Sequence, residues 1–140
     1  MRIMGIDYGD ARIGIALSDA LKWTAQSLEV IDCRRIKDPV ARIAELVLLH
    51  DVERMVLGFP RNMNGTIGAR AEKTQAFKDR LEKVIDVPIE WMDERLSTVS
   101  AQRLLIEGNV RRENRRGVVD KVAATLILQT YLDRARRDAP

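Results

Sequence analysis

Four carboxylates, set in a chain poor in other catalytic side chains, define the chemistry open to this sequence. Asp7 closes the apolar run Ile3–Met4–Ile6 in "GIDYGDARIGIALSD", residues 5–19, where a packing residue would be expected. Asp93 and Glu94 stand together in "WMDERLST", and Asp120 opens the apolar stretch "VVDKVAA". There is one histidine, His50, and one cysteine, Cys33. His50 falls at the end of a predicted helix, where it complements the negative end of the dipole. Cys33 closes a strand and reads as a packing thiol. A Ser–His–Asp or Cys–His mechanism therefore has little support. A lone cysteine also excludes an intramolecular disulfide and a cysteine-rich zinc site. Carboxylates that converge repel one another unless a cation neutralises them. An all-oxygen set of this kind suits Mg²⁺ or Mn²⁺. Each acid also has a plainer role: Asp7 starting a turn, Asp120 facing a helix dipole, Asp93 and Glu94 pairing with Arg95 at the surface.

Convergence depends on the elements that carry them. "RIMGID" and "RIGIALS", joined by a turn-type "YGDA", predict an antiparallel hairpin. "QSLEVID", residues 26–32, alternates with period two and predicts a third strand. A helix follows, capped by Asp38 with Pro39 at its first position and Val40, Ile43, Ala44 and Val47 on one stripe. "ERMVLGF" is a short buried strand and "PRNMNGT" a loop; Gly68–Ile85 is helical, with Phe77, Leu81, Val84 and Ile85 on its apolar stripe. "VPIEWMD" is a fifth strand, a helix runs from Thr98 to about Glu107, and a last helix covers "VVDKVAATLILQTYLDRAR". A meander followed by βαβ crossovers implies a five-stranded mixed α/β sheet with helices on both faces, in one domain over residues 1–140. With strand one central and strand five parallel to it, Asp7 and the Asp93–Glu94 pair reach the same edge. A helix N-terminus docked there brings Asp120 to them. Strand alternation sends Asp93 and Glu94 to opposite faces, so which of the two meets a metal stays open.

The chain carries a net charge of +3, and residues 101–140 hold nine Lys or Arg against five Asp or Glu. Most of that excess lies in "NVRRENRRG", residues 109–117, which reads either as a solvated loop or as a phosphate-binding arm. No apolar stretch approaches the ~20 residues of a membrane span, and no signal-peptide core opens the chain, so the expected setting is cytoplasmic. Only 4% of residues are aromatic, which leaves few platforms for stacking bases. Trp23 and Trp91 read as packing residues near strand ends.

Four ordered segments, "GIDYGDARIGIALSD", "VLGFPRNMNGT", "DERLSTVSA" and "VVDKVAATLILQTYL", together resemble the YqgF family, also called RuvX. The resemblance runs to about Leu132. It implies a ribonuclease H-like fold, kinship with Holliday-junction resolvases, and nuclease processing of the 5′ end of precursor 16S ribosomal RNA. Carried over by position, Asp7 matches the first-strand metal carboxylate, Asp93 and Glu94 the family's acidic pair, and Asp120 the acid of the last helix. Gly58, Pro60, Asn62 and Gly65 match the loop after strand four. Ala11 stands where many members have Lys, Ser97 where Thr is common, and Asn64 where Asp is frequent.

The expected protein is a metal-dependent endonuclease acting on structured RNA, precursor 16S rRNA by resemblance. Asp7, Asp93, Glu94 and Asp120 form the catalytic set, with Asp7, Glu94 and Asp120 on Mg²⁺ or Mn²⁺. Arg12, Asn62, Thr98, Arg111, Arg112, Arg115 and Arg116 are the expected nucleic-acid contacts. Should the arginine segment be a solvated loop, Arg12 with Lys22 is the alternative basic face. Alternatives are a resolvase acting on four-way DNA junctions, which needs a dimer, and a non-catalytic nucleic-acid-binding module. Monomer and homodimer are both open. D-x-G at residues 7–9 also resembles the phosphate loop of actin-like ATPases and sugar kinases, which need a second related domain.

Overall fold

Branched residues crowd residues 2–18, and both faces of the strands they form are covered, as for strands at the centre of a sheet. The computed structural model describes residues 1–9, 11–59, 68–93 and 115–137, with 115–121 as backbone only. Its elements are β1 (Arg2–Tyr8), β2 (Arg12–Ser18), β3 (Ala25–Asp32), α1 (Pro39–Leu49), β4 (Val52–Phe59), α2 (Ala69–Val84), β5 (Ile89–Asp93) and α3 (Arg115–Arg137). The strand order is β3-β2-β1-β4-β5. β1 pairs antiparallel with β2 and parallel with β4, while β2–β3 is antiparallel and β4–β5 parallel. The expected mixed sheet with a central first strand is the observed one.

Alternation along β1 divides the core in two. Met4 and Ile6 join Ile13, Ile15, Met55, Leu57, Phe77 and the α1 residues Val40, Ile43, Leu46 and Val47 on one face. Ile3 faces the other way, with Ala16, Val56, Met92 and the α3 residues Ala123, Ala124, Ile127, Leu128 and Leu132. Each such aliphatic side chain contributes ~1.5–3 kcal/mol when removed from water, so both helix layers are held firmly. α1 starts as its sequence predicts: the Asp38 side chain accepts from the Ala41 N–H at 3.1 Å and Pro39 follows at the first position. His50 ends it, its N–H donating to the Leu46 carbonyl at 3.0 Å.

Three expectations need correction. Val84 is 57% exposed although Phe77, Leu81 and Ile85 of the same stripe are buried; it lies at the stripe's edge in the last turn, over a shallow groove with Val40 and Arg80. Trp23 is 55% exposed, on the β2–β3 turn, with the Arg136 guanidinium 4.8 Å from its ring. Residues 115–117, inside the segment read as an arginine loop, are helical and belong to α3. A glycine costs only ~1 kcal/mol in a helix interior, and Gly117 does not stop a 23-residue helix packed on a sheet. The helix expected at residues 98–107 lies outside the described residues.

Candidate active site

Asp7 is 3% exposed. Alternation from Ile3 through Gly5 places it on the α3 face, at the carboxyl end of the central strand. Its cross-strand partner on β2 is Gly14. On β4, one residue beyond the Ile6–Leu57 pair, stands Gly58. Both lateral neighbours of this carboxylate therefore lack side chains, an arrangement that lets another group approach closely. A cation reaches it from the other layer: the Arg70 Nη2 lies 3.4 Å from Asp7 Oδ1 and 3.4 Å from the Tyr8 carbonyl oxygen. Arg70 is the second residue of α2. Sequence reasoning missed it, yet a signal existed, because a cation in a first helical turn opposes the dipole and calls for an acidic partner.

α3 crosses the sheet against Gly5. A Cβ on Gly5 would lie 2.7 Å from Leu128 Cβ and 3.2 Å from the Ala124 carbonyl oxygen. Further along, Gln129 accepts from the Ala25 N–H at 2.9 Å and donates to the Trp23 carbonyl at 3.0 Å. Tyr131 accepts from Arg54 at 2.9 Å. Trp23, Ala25 and Arg54 lie toward the amino-terminal end of β1, so α3 runs antiparallel to β1. Its first turns point to the carboxyl edge. Residue 120 precedes Ala124 by one turn, ~5.4 Å, and Asp7 follows Gly5 by two strand residues, ~6.6 Å. The backbone thus carries Asp120 to the row of Asp7; its side chain lies outside the described residues.

Asp93 pairs with Phe59, level with Tyr8. Met92 is buried with α3 and Ile89 and Trp91 pack on the other layer, so alternation puts Asp93 on the face opposite Asp7. Glu94, next in sequence, lies outside the described residues, as do Asn62, Thr98, Arg111 and Arg112. Arg115 and Arg116 are placed as helical backbone only. Among the described residues, no three of Asp, Glu, His and Cys gather closely enough to hold a metal. Arg12 opens β2 opposite Asp32, at the same edge as Asp7. The Asp32 carboxyl is held below its ordinary value by the Arg34 N–H, then by the Arg34 and Arg12 guanidinium groups. Lys22 is not part of this edge: it lies on the β2–β3 turn at the far end of the sheet, paired with Glu53. No helix among the described residues is long and apolar enough to cross a membrane.

Comparison with known proteins bears on the family and the fold. The profile of the family described as "RuvX: Holliday junction resolvase" matches residues 1–134. A Desulforamulus reducens protein named "Putative pre-16S rRNA nuclease" is 52% identical over 133 residues, 95% of this chain and 97% of its own. One of the same name from Listeria monocytogenes is 50% identical over 135 residues, covering 95% and 98%. Among solved structures, the RuvC of T. thermophilus in complex with a Holliday junction substrate superposes with a TM-score of 0.61 at 16% identity, covering 99% and 98% of the two chains. The fowlpox virus Holliday junction resolvase gives 0.54 at 12% identity, covering 96% and 99%. At these identities the likeness shows the fold, which is that of the resolvases.

Proposed function

The chain belongs to the RuvX family, and on that premise we propose that it is a metal-dependent endonuclease processing the 5′ end of precursor 16S ribosomal RNA. The observation that carries the reading is the buried Asp7 at the carboxyl end of β1, with the first turns of α3 directed to the same place. A carboxylate removed from water at a strand end is costly unless a cation meets it. Gly14 beside it on β2 leaves that approach free of a side chain. Hard carboxylate oxygens from Asp7, Glu94 and Asp120 fit Mg²⁺ or Mn²⁺. The place of Asp93 on the opposite face supports assigning the ligand role to Glu94, with Asp93 bracing the strand end.

Asp7, Glu94 and Asp120 would hold a divalent cation, which when bound would supply activation of water and neutralisation of developing charge. The chain's own part is to fix the carboxylates before substrate arrives. Asp7 is fixed by the β1 ladder, and Asp120 by α3 packed on Gly5. Arg12 at the same edge binds backbone phosphate, with Asn62, Thr98, Arg111, Arg112, Arg115 and Arg116 as the further contacts. Arg70 keeps the Asp7 carboxylate compensated.

Asp7→Asn tests this reading. It removes the charge and keeps the shape, so cleavage of a precursor 16S 5′ segment in Mg²⁺ should vanish while the far-ultraviolet dichroism is unchanged. Full activity in EDTA, or in Asp7→Asn, would overturn the site. The family description favours a second reading, resolution of four-way DNA junctions, which offers the same phosphodiester chemistry another substrate. A protein that binds RNA and never cuts it would be the non-catalytic module.

A further inference from the structure

From the β3–α1 connection we infer a second phosphate-binding site, for the double-helical flank of the substrate rather than for its scissile strand. The site consists of Arg34, Arg35 and Lys37, with Arg12 joining it to the cleavage centre. The inference deepens the nuclease reading and rests on its placing the scissile phosphate at Asp7. Two antiparallel pairings, β1 with β2 and β2 with β3, bring the end of β3 back to the edge where β1 ends. Asp32 lies opposite Arg12 there, and "CRRIK", residues 33–37, follows it.

The segment is held rigidly. The Cys33 N–H donates to the Ala11 carbonyl at 2.9 Å, tying it to the β1–β2 turn. The N–H groups of Arg35 and Ile36 both donate to the Asp32 carbonyl at 3.0 Å. The Arg34 N–H donates to Asp32 Oδ1 at 3.0 Å. Cys33 and Ile36 pack against the core. What this turn presents outward is cationic: Arg34 and Arg35 have side chains 69% and 87% exposed, and Lys37 is exposed. Arg34 and Arg35 share the single carboxylate of Asp32, at 3.4 and 3.9 Å, and Arg12 adds its field to the same acid. Positive charge is left over, on a pre-ordered backbone, and pre-ordering lowers the entropy lost on binding.

Distance places these cations beyond the scissile phosphate: β3 stands two strand separations from β1, ~10 Å, so they meet the backbone away from the bond held at Asp7. The described part of this edge shows no exposed aromatic ring on which unpaired bases could stack. Tyr8 is stacked on Phe77, with centroids 4.4 Å apart, and Trp91 is tilted against Phe59 at 4.7 Å. Exposed Trp23 is at the opposite end of the sheet. Cations without stacking platforms suit a paired backbone, recognised by shape and phosphate.

The test compares wild type with Arg34→Ala/Arg35→Ala, whose turn is kept because Asp32 binds the backbone N–H of residue 34. The probes are a 20-base-pair RNA stem with a 5′ single-stranded extension, and the extension strand alone, both titrated in EDTA at several salt concentrations. On the stem, the slope of log affinity against log salt should flatten by about 1.4–1.8, at ~0.7–0.9 per lost contact. On the single strand the two proteins should have equal slopes. Arg34→Lys/Arg35→Lys should restore the slope, and Lys22→Ala, at the far end, should leave it unchanged. Equal slopes on the stem would overturn the inference, and an equal loss on the single strand would assign these cations to the scissile strand instead. Cleavage in Mg²⁺ is read separately: a wild type that binds with the steep slope and never cuts would remove the nuclease reading and leave the phosphate contacts standing.

Discussion

At Asp7 a carboxylate is 3% exposed, and one cation that meets it, Arg70, comes from the opposite layer of the molecule. Arg70 reaches around the edge of the sheet to Asp7 Oδ1 and the Tyr8 carbonyl. Its guanidinium stays half-exposed, so solvent screens the pair and its net contribution is modest, ~1 kcal/mol. Arg70→Ala should therefore lower the thermal midpoint in EDTA by about 2–6 °C. Arg70→Lys should recover part of it, because an ammonium keeps the charge but lacks the fork that spans carboxylate and carbonyl. Calorimetry of the two variants checks this, and an Arg70→Ala midpoint equal to wild type would deny the pair any role in holding the strand end. The pairing could not be read along the sequence, since its partners are 63 residues apart. What the sequence did show was the anomaly at each partner: an acid ending an apolar strand, and a base in the first turn of a helix.

Helices and strands were legible where their period was clean. The hairpin follows its two runs of branched residues about a turn, β3 follows alternation, the α1 stripe follows three-to-four spacing, and the cap at Asp38 follows its residue type. The helical state of residues 115–117 was not legible, because arginines followed by Gly117 look like a loop in sequence. The contact that positions α3 is also hidden in sequence, since Gly5 gives no sign that Leu128 will lie against it. Gly5→Ala places a methyl 2.7 Å from Leu128 Cβ and must push the helix outward. Overpacking of this kind costs ~1–3 kcal/mol. Cleavage should fall at least tenfold, by the displacement of residue 120 from Asp7 as the helix moves. Urea denaturation and single-turnover cleavage of the same variant separate the two effects; a stability loss with full activity would free the site from the helix's position. The β3–α1 turn makes a second prediction at this scale. The folded Asp32 carboxyl titrates below its ordinary value of 3.8, so the unfolded turn binds more protons in that window. The turn's stabilisation is fully present above pH 3.8 and is lost as pH falls through the lower, folded value. Amide exchange at Arg34, corrected for intrinsic rate, should lose protection over that acid window, and in Asp32→Asn the pH dependence should disappear.

Across the whole molecule the two ends of the sheet differ in kind. The carboxyl end gathers Asp7, Arg12, Asp32, Arg34, Arg35, Lys37 and Arg70, while the other exposes Leu21, Trp23, Leu48 and Leu49. On the proposed reading, one chain offers one carboxylate centre, at the edge where Asp7 lies. Cutting an RNA 5′ extension needs one such centre, whereas symmetrical resolution of a four-way junction needs two related by a two-fold axis. The order of reaction separates these substrates without knowledge of the interface. On a precursor 16S 5′ segment in Mg²⁺, the rate per chain should stay constant as the protein is diluted a hundredfold. On a synthetic DNA junction at matched salt, paired nicks should be weak or absent. Any that occur should fall with the square of protein concentration, because two copies must meet on one junction. Asp7→Asn should abolish both activities, since the phosphodiester chemistry is shared. Efficient paired nicking at the lowest concentration, with the RNA untouched, would mean that two copies act as a pre-formed pair, and would transfer the assignment from ribosomal RNA to DNA junctions.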